Sequence, residues 1–194
     1  AGKADAVIRA DTPVYLSGHY LLTTGDRHTG LVLTDTVSGK STVICTERGV
    51  GCYAFVSADN RFVCYKTFQR LPAGVLQKSM LFDIAKGESV PLNDWSPLAG
   101  IPSVAPDGRI ACTTGNRLLV TDQGFRLLHE FDLGHHVDLV TISADGERIA
   151  LNDGKEQIVV LTLSTGSRQV VSKGDGNCFG PQFAPGGERL LFCD

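Results

Sequence analysis

Four stretches of this chain are near copies of one another. They are Phe55-Val-Ser-Ala-Asp-Asn-Arg-Phe-Val63, Val104-Ala-Pro-Asp-Gly-Arg-Ile-Ala111, Ile142-Ser-Ala-Asp-Gly-Glu-Arg-Ile-Ala150 and Phe183-Ala-Pro-Gly-Gly-Glu-Arg-Leu-Leu191. A fainter copy is Tyr15-Leu-Ser-Gly-His-Tyr-Leu-Leu22. Their second turn residues, Gly18, Asn60, Gly108, Gly146 and Gly187, follow one another at spacings of 42, 48, 38 and 41 residues. A fixed period of this length is the signature of a repeat architecture, in which each unit shields its apolar faces only against its neighbours.

The copies share a mechanism as well as a spelling. Asp-Gly and Asn-type turn pairs supply the positive φ that a tight hairpin needs. Pro106 suits the first central turn position, where φ is held near −65°. Apolar residues flank each turn, so each copy predicts a hairpin between two strands, A and B. A second turn follows downstream at Asp35 to Gly39, Asp83 to Gly87, Asp122 to Gly124 and Leu163 to Gly166, between strands C and D. No stretch holds a helical period over a dozen residues. The 22 glycines exceed the roughly 14 of average usage, in keeping with many turns.

A four-stranded antiparallel unit of about 42 residues predicts an all-β chain, a β-propeller of about five four-stranded blades. The expected blades are 12–46, 52–92, 102–131, 137–172 and 178–194, the last completed by residues 5–10 from the other end of the chain. All of 1–194 is read as one propeller domain. The alternative is a fragment of a six- or seven-bladed propeller.

The Ser/Ala-Ala/Pro-Asp-Gly-x-Arg-Ile-Ala element, followed by a strand, an Asp-x-x-x-Gly turn and a further strand, resembles the TolB-type (WD40-like) propeller repeat. That resemblance implies a propeller and leaves its task open. Related propellers serve as periplasmic scaffolds, as substrate gates of prolyl-oligopeptidase-type enzymes and as oligogalacturonate lyases. The Trp-Asp signature of WD repeats and the Ser-x-Asp-x-Gly-x-Thr-Trp box of sialidases are absent. By resemblance the setting is periplasmic or secreted, with a cytoplasmic one as the alternative.

Net charge is −3 and the basic residues are scattered, so no nucleic-acid partner is expected. No apolar run approaches the ~20 residues of a membrane span. The six cysteines, Cys45, Cys52, Cys64, Cys112, Cys178 and Cys193, contain no Cys-x-x-Cys pair. Cys64 and Cys112 occupy matching repeat positions and read as small buried hydrophobes. Gly39-Lys-Ser-Thr42 lacks the upstream glycine and the helix of a phosphate loop. Gly174 to Gly180 misses the dinucleotide spacing, and there is no Gly-x-Ser-x-Gly elbow.

In a propeller the B–C and D–A connections emerge on one face, the A–B and C–D turns on the other. Chemistry-capable side chains concentrate in the first group. The candidates for ligand binding are Asp26, Arg27, His28, Arg48, Lys66, Arg70, Trp95, His135, His136, Asp138, Asn152 and Asp153, with Asp175 and Asn177 in the last D–A loop. Imidazoles bind metal or move protons near neutral pH, so His28, His135 and His136 are the candidate ligands of a possible divalent metal. Residues Thr67 to Lys78 read as a long B–C insertion on this face. The leading expectation is a binding or scaffold propeller for a protein partner or a small carbohydrate-like ligand. The alternatives are a lyase or hydrolase of acidic oligosaccharide, which needs the three histidines to converge and an arginine to pair with a carboxylate, or the gating propeller of a larger prolyl-oligopeptidase-type enzyme.

Overall fold

The computed structural model describes residues 12–155, 157–172, 178–184 and 186–193. It is an all-β propeller with four complete blades. Blade 1 holds β1 (Thr12–Ser17), β2 (Tyr20–Gly25), β3 (Thr29–Asp35) and β4 (Ser41–Arg48). Blade 2 holds β5 (Phe55–Val56), β6 (Phe62–Leu71), β7 (Gly74–Asp83) and β8 (Glu88–Pro91). Blade 3 is β9 (Ser103–Val104), β10 (Ile110–Thr114), β11 (Arg117–Thr121) and β12 (Leu127–Asp132). Blade 4 is β13 (Val140–Ile142), β14 (Arg148–Asn152), β15 (Ile158–Thr162) and β16 (Arg168–Val170). Every pairing within these sheets is antiparallel and between strands consecutive in the chain.

The fifth unit is a two-stranded hairpin, β17 (Phe179–Phe183) with β18 (Leu190–Cys193). The expected five four-stranded blades are therefore corrected to four, plus this hairpin. The alternative of a propeller fragment fits. Residues 5–10, expected to complete the last blade, lie outside the described residues.

The repeat copies fold as the turn chemistry requires. Gly18, Asn60, Gly108, Gly146 and Gly187 all have φ between 57° and 91°. At Asn60, Gly108, Gly146 and Gly187 the anchor N–H donates to the carbonyl three residues back, at 2.7 to 2.9 Å. In two copies a serine–aspartate pair braces the turn. Ser57 Oγ donates to Asp59 at 2.6 Å and accepts from Phe62 N at 3.0 Å. Ser143 repeats this with Asp145 and Arg148 N.

The core lies between blades, and the sheet of blade 2 is buried on both faces. In β6, Val63 and Tyr65 pack toward blade 1 with Leu22, Leu31 and Val56. Cys64, between them in the strand, faces the other way onto Ile101, Val104 and Ile110 of blade 3. This is the two-residue alternation of a strand serving two interfaces at once. Blades 3 and 4 share a third cluster around Leu118, Val120, Ile149 and Leu161. Cys64 and Cys112 are buried, as their matching positions led us to expect, and burial pushes the Cys112 thiol up to about 11.

Candidate functional site

The innermost strands β1, β5, β9, β13 and β17 together line one central cavity of about 420 Å³. Gln182 Nε2 of β17 donates to the Tyr15 hydroxyl of β1 at 2.5 Å, linking the first described strand to the last hairpin. Burial holds the Tyr15 hydroxyl above its ordinary value, and the Gln182 hydrogen bond pulls the other way.

A second cavity, of about 410 Å³, opens on the B–C/D–A face. Its walls come from the blade 1 to blade 2 connection (Gly49, Val50, Cys52, Tyr53), from the β6–β7 hairpin (Lys66, Phe68, Arg70, Gln77) and from Asp138 ahead of blade 4. Cys52 and Tyr53 line both cavities.

The stretch expected as a loop insertion, Thr67 to Lys78, is instead a regular extension of β6 and β7. Its pairing runs unbroken from Lys66↔Ser79 to Leu71↔Gly74. Five further cross-strand pairs at roughly 3.4 Å per residue give an arm about 17 Å long. Its length follows from continuous strand-compatible sequence closed by the two-residue turn Pro72-Ala73. Alternation places Lys66, Phe68 and Arg70 on one face of the arm, over the cavity. The opposite face carries Lys78, whose ammonium sits 4.6 Å from the centre of the Trp95 ring.

Lys66 is the chemical centre of this cavity. Its side chain is 8 % exposed. An ammonium so far from water needs partners. It donates to Asp138 and, at 2.9 Å, to Gln77 Oε1. It also lies 5.8 Å from the centre of the Phe68 ring. His136 borders the pair, with Nε2 3.5 Å from Asp138 Oδ1 and Nδ1 3.0 Å from the Gly115 carbonyl oxygen. Nε2 itself is buried without a hydrogen bond.

Of the residues singled out from sequence, Lys66, Arg70, Asp138 and His136 come together here. The others do not join them. Asp26, Arg27 and His28 form an exposed 3₁₀ turn after β2, where Arg27 and His28 have φ of 54° and 56°. Arg48 ends β4, exposed, in register with Thr29. Trp95 lines neither cavity. The His135 ring lies between two backbone carbonyls, with Nδ1 2.9 Å from Leu133 O and Nε2 3.2 Å from Asn152 O. Asn152 donates across to Cys178 O, ahead of the last hairpin, at 2.6 Å, and Asp153 Oδ1 accepts from Lys155 N of its own loop at 2.8 Å. Asp175 and Asn177 lie outside the described residues.

His28 thus stays in the exposed turn after β2, while the His135 ring faces Leu133 O and Asn152 O and the His136 ring faces Gly115 O. Among the described residues no group of three or more His, Cys, Asp or Glu is placed to hold a metal ion. The expected three-histidine set is not assembled, and the residues present do not fit it. Tyr53, Phe68 and Gln77 were missed in the sequence reading. Phe68 was accessible to it, since it alternates with Lys66 and Arg70.

Similar folds occur among solved structures. TolB from Acinetobacter baumannii superposes with a TM-score of 0.65 at 18 % identity, over 92 % of this chain and 47 % of that one. Kuenenia stuttgartiensis hydrazine synthase gives 0.59 at 15 %, over 99 % and 58 %. The mitotic checkpoint complex gives 0.62 at 8 %, over 93 % and 56 %. The chain spans about half the length of these neighbours. No protein-family profile and no curated protein matches it. Among the described residues no helix is long and apolar enough to cross a membrane. At these identities the likeness is one of fold, and the fold is the β-propeller of TolB-type and WD40-type proteins.

Proposed function

We propose that this chain is a binding propeller of scaffold type that engages its partner on the B–C/D–A loop face. The observation that supports this is the cavity between Tyr53, the β6–β7 arm and Asp138. It is concave, it has aromatic walls, and a few charged groups from three separate connections converge in it, as ligand sites require. The A–B and C–D turns of the other face carry aspartates and serines already bonded to their own backbone, for example Asp35 to Val37 N and Ser38 N. The TolB-like fold is the ground for a periplasmic or secreted setting, and for a protein as the natural partner.

The test compares faces. The chain is immobilised and used to capture partners from its source extract. The pair Tyr53→Asp with Arg70→Glu is set against the turn-face pair Lys86→Glu with Arg126→Glu. Loss of capture with the first pair and retention with the second is expected. The opposite pattern would overturn the assignment of the face.

A further inference from the structure

The cavity under the β6–β7 arm carries a charge pattern that selects its occupant, and the inference rests on reading this face as the binding face. Its charged lining residues are Lys66, Arg70 and Asp138. Lys66 is committed to Asp138 and Gln77. Two of its three donors are therefore used, and one is left over. Arg70 is four residues further out on the same face of β6. Its guanidinium has no ion-pair or hydrogen-bond partner among the described residues, and it lies beside Gly49 in the cavity wall. The cavity thus has two cations against one anion, an excess of one positive charge.

We propose that this cavity binds a monocarboxylate bearing an aromatic or apolar group, with Arg70 as the counter-ion of the carboxylate. Guanidinium presents a planar fork of donors that matches a carboxylate in a bidentate way. The Phe68 ring sits between the two cationic residues along the strand, and Tyr53, 62 % exposed, offers a second apolar wall. These surfaces take the ring or chain attached to the acid. Asp138, the one carboxylate lining the cavity, repels a second negative charge, so a phosphate dianion is disfavoured. A peptide ending in an apolar residue and a free aromatic acid present the same group.

The experiment titrates the full chain with N-acetylphenylalanine, N-acetylphenylalanine amide and inorganic phosphate, read by calorimetry or by amide chemical shifts. The acid is expected to saturate with a dissociation constant on the order of a millimolar, the range for a ligand of about fifteen heavy atoms. Arg70→Ala is expected to weaken it about tenfold or more while the unfolding midpoint stays unchanged. A peptide with a C-terminal phenylalanine binding more tightly than the free acid points to a protein tail as source, and equal binding points to a small molecule. The proposal is overturned if the amide or phosphate binds as well as the acid, if Arg70→Ala binds normally, or if the acid fails to bind. If the acid fails while loop-face variants still abolish capture, the carboxylate assignment falls and the binding face stands.

Discussion

The Arg109 guanidinium of blade 3 donates to the carbonyl oxygen of Gly146 in blade 4 at 2.8 Å. It also pairs with Glu147 at 2.6 Å. Arg148 repeats the first of these contacts one unit later, donating to Gly187 O at 3.0 Å. Between blades 1 and 2 a shorter link serves, Ser17 Oγ to Asn60 Oδ1 at 2.8 Å. The arginine of the repeat motif therefore does more than punctuate a turn. At two seams, blade 3 to blade 4 and blade 4 to the last hairpin, it ties one hairpin anchor to the next, on the face opposite the cavity.

Arg109→Ala should accordingly destabilise by loosening the blade 3 to blade 4 seam. The side chain is 29 % exposed, so a hydrogen bond and two partly screened ion pairs, with Glu147 and Asp107, are lost together. The expected loss is about 1–2 kcal/mol. Arg109→Lys keeps the charge but loses the fork whose Nη1 reaches Gly146 and Glu147 while its Nε reaches Asp107, and it should recover less than half of that loss. Urea unfolding midpoints of the two variants check this. A midpoint for Arg109→Ala equal to that of the parent chain would show that the seam is held by apolar packing alone.

Much of the architecture was legible because it is local. The five anchors take positive φ wherever the repeat places Gly or Asn, since that backbone region is open to few other residues. Cys64 and Cys112 were legible as buried because matching positions in a repeat see matching neighbours. The cavity was less legible. Lys66 and Asp138 are 72 residues apart and meet only because blades fan around an axis. His135 and His136 are adjacent, yet one sits between Leu133 O and Asn152 O and the other leans on Gly115. Nothing in residue type separates them. The β6–β7 arm was read as a loop because it broke the period, although its strand alternation was present in Lys66, Phe68 and Arg70.

The turn aspartates make stability depend on acid. The Asp35 carboxyl is held below its ordinary value by the Ser38 hydroxyl, 2.8 Å away, and by the Val37 N–H. Asp122 is lowered by the Arg126 N–H, and Asp145 by the Ser143 hydroxyl and the Glu147 N–H. A carboxyl whose folded-state value is depressed stabilises the fold fully above its unfolded value and loses that contribution as pH falls through the folded one. The unfolded value is 3.8. Urea midpoints should therefore be level with respect to these groups down to about pH 5 and fall below about pH 4. Asp145→Asn should flatten that acid limb by removing one linked proton, and an unchanged slope would exclude Asp145 from the linkage.

The Lys66–Asp138 pair should respond asymmetrically to the loss of each partner, because its two ends see different amounts of water. The Lys66 side chain is 8 % exposed and that of Asp138 is 50 % exposed. Removing the aspartate leaves a buried ammonium with Gln77 as its one remaining hydrogen-bond partner among the described residues. An uncompensated buried charge is costly, and half-exposure of Asp138 tempers the figure to about 2–4 kcal/mol. Lys66→Met instead removes the charge that was expensive to bury and keeps most of the chain length that packs beside Phe68. The aspartate it orphans can turn to water, so the loss should stay near or below about 1 kcal/mol. The double variant should sit close to Lys66→Met, since the methionine has already removed what Asp138 was compensating. Thermal or urea unfolding of the four proteins forms a double-mutant cycle. Additive losses, or a larger loss for Lys66→Met than for Asp138→Ala, would mean that the ammonium reaches solvent and that the cavity floor is open.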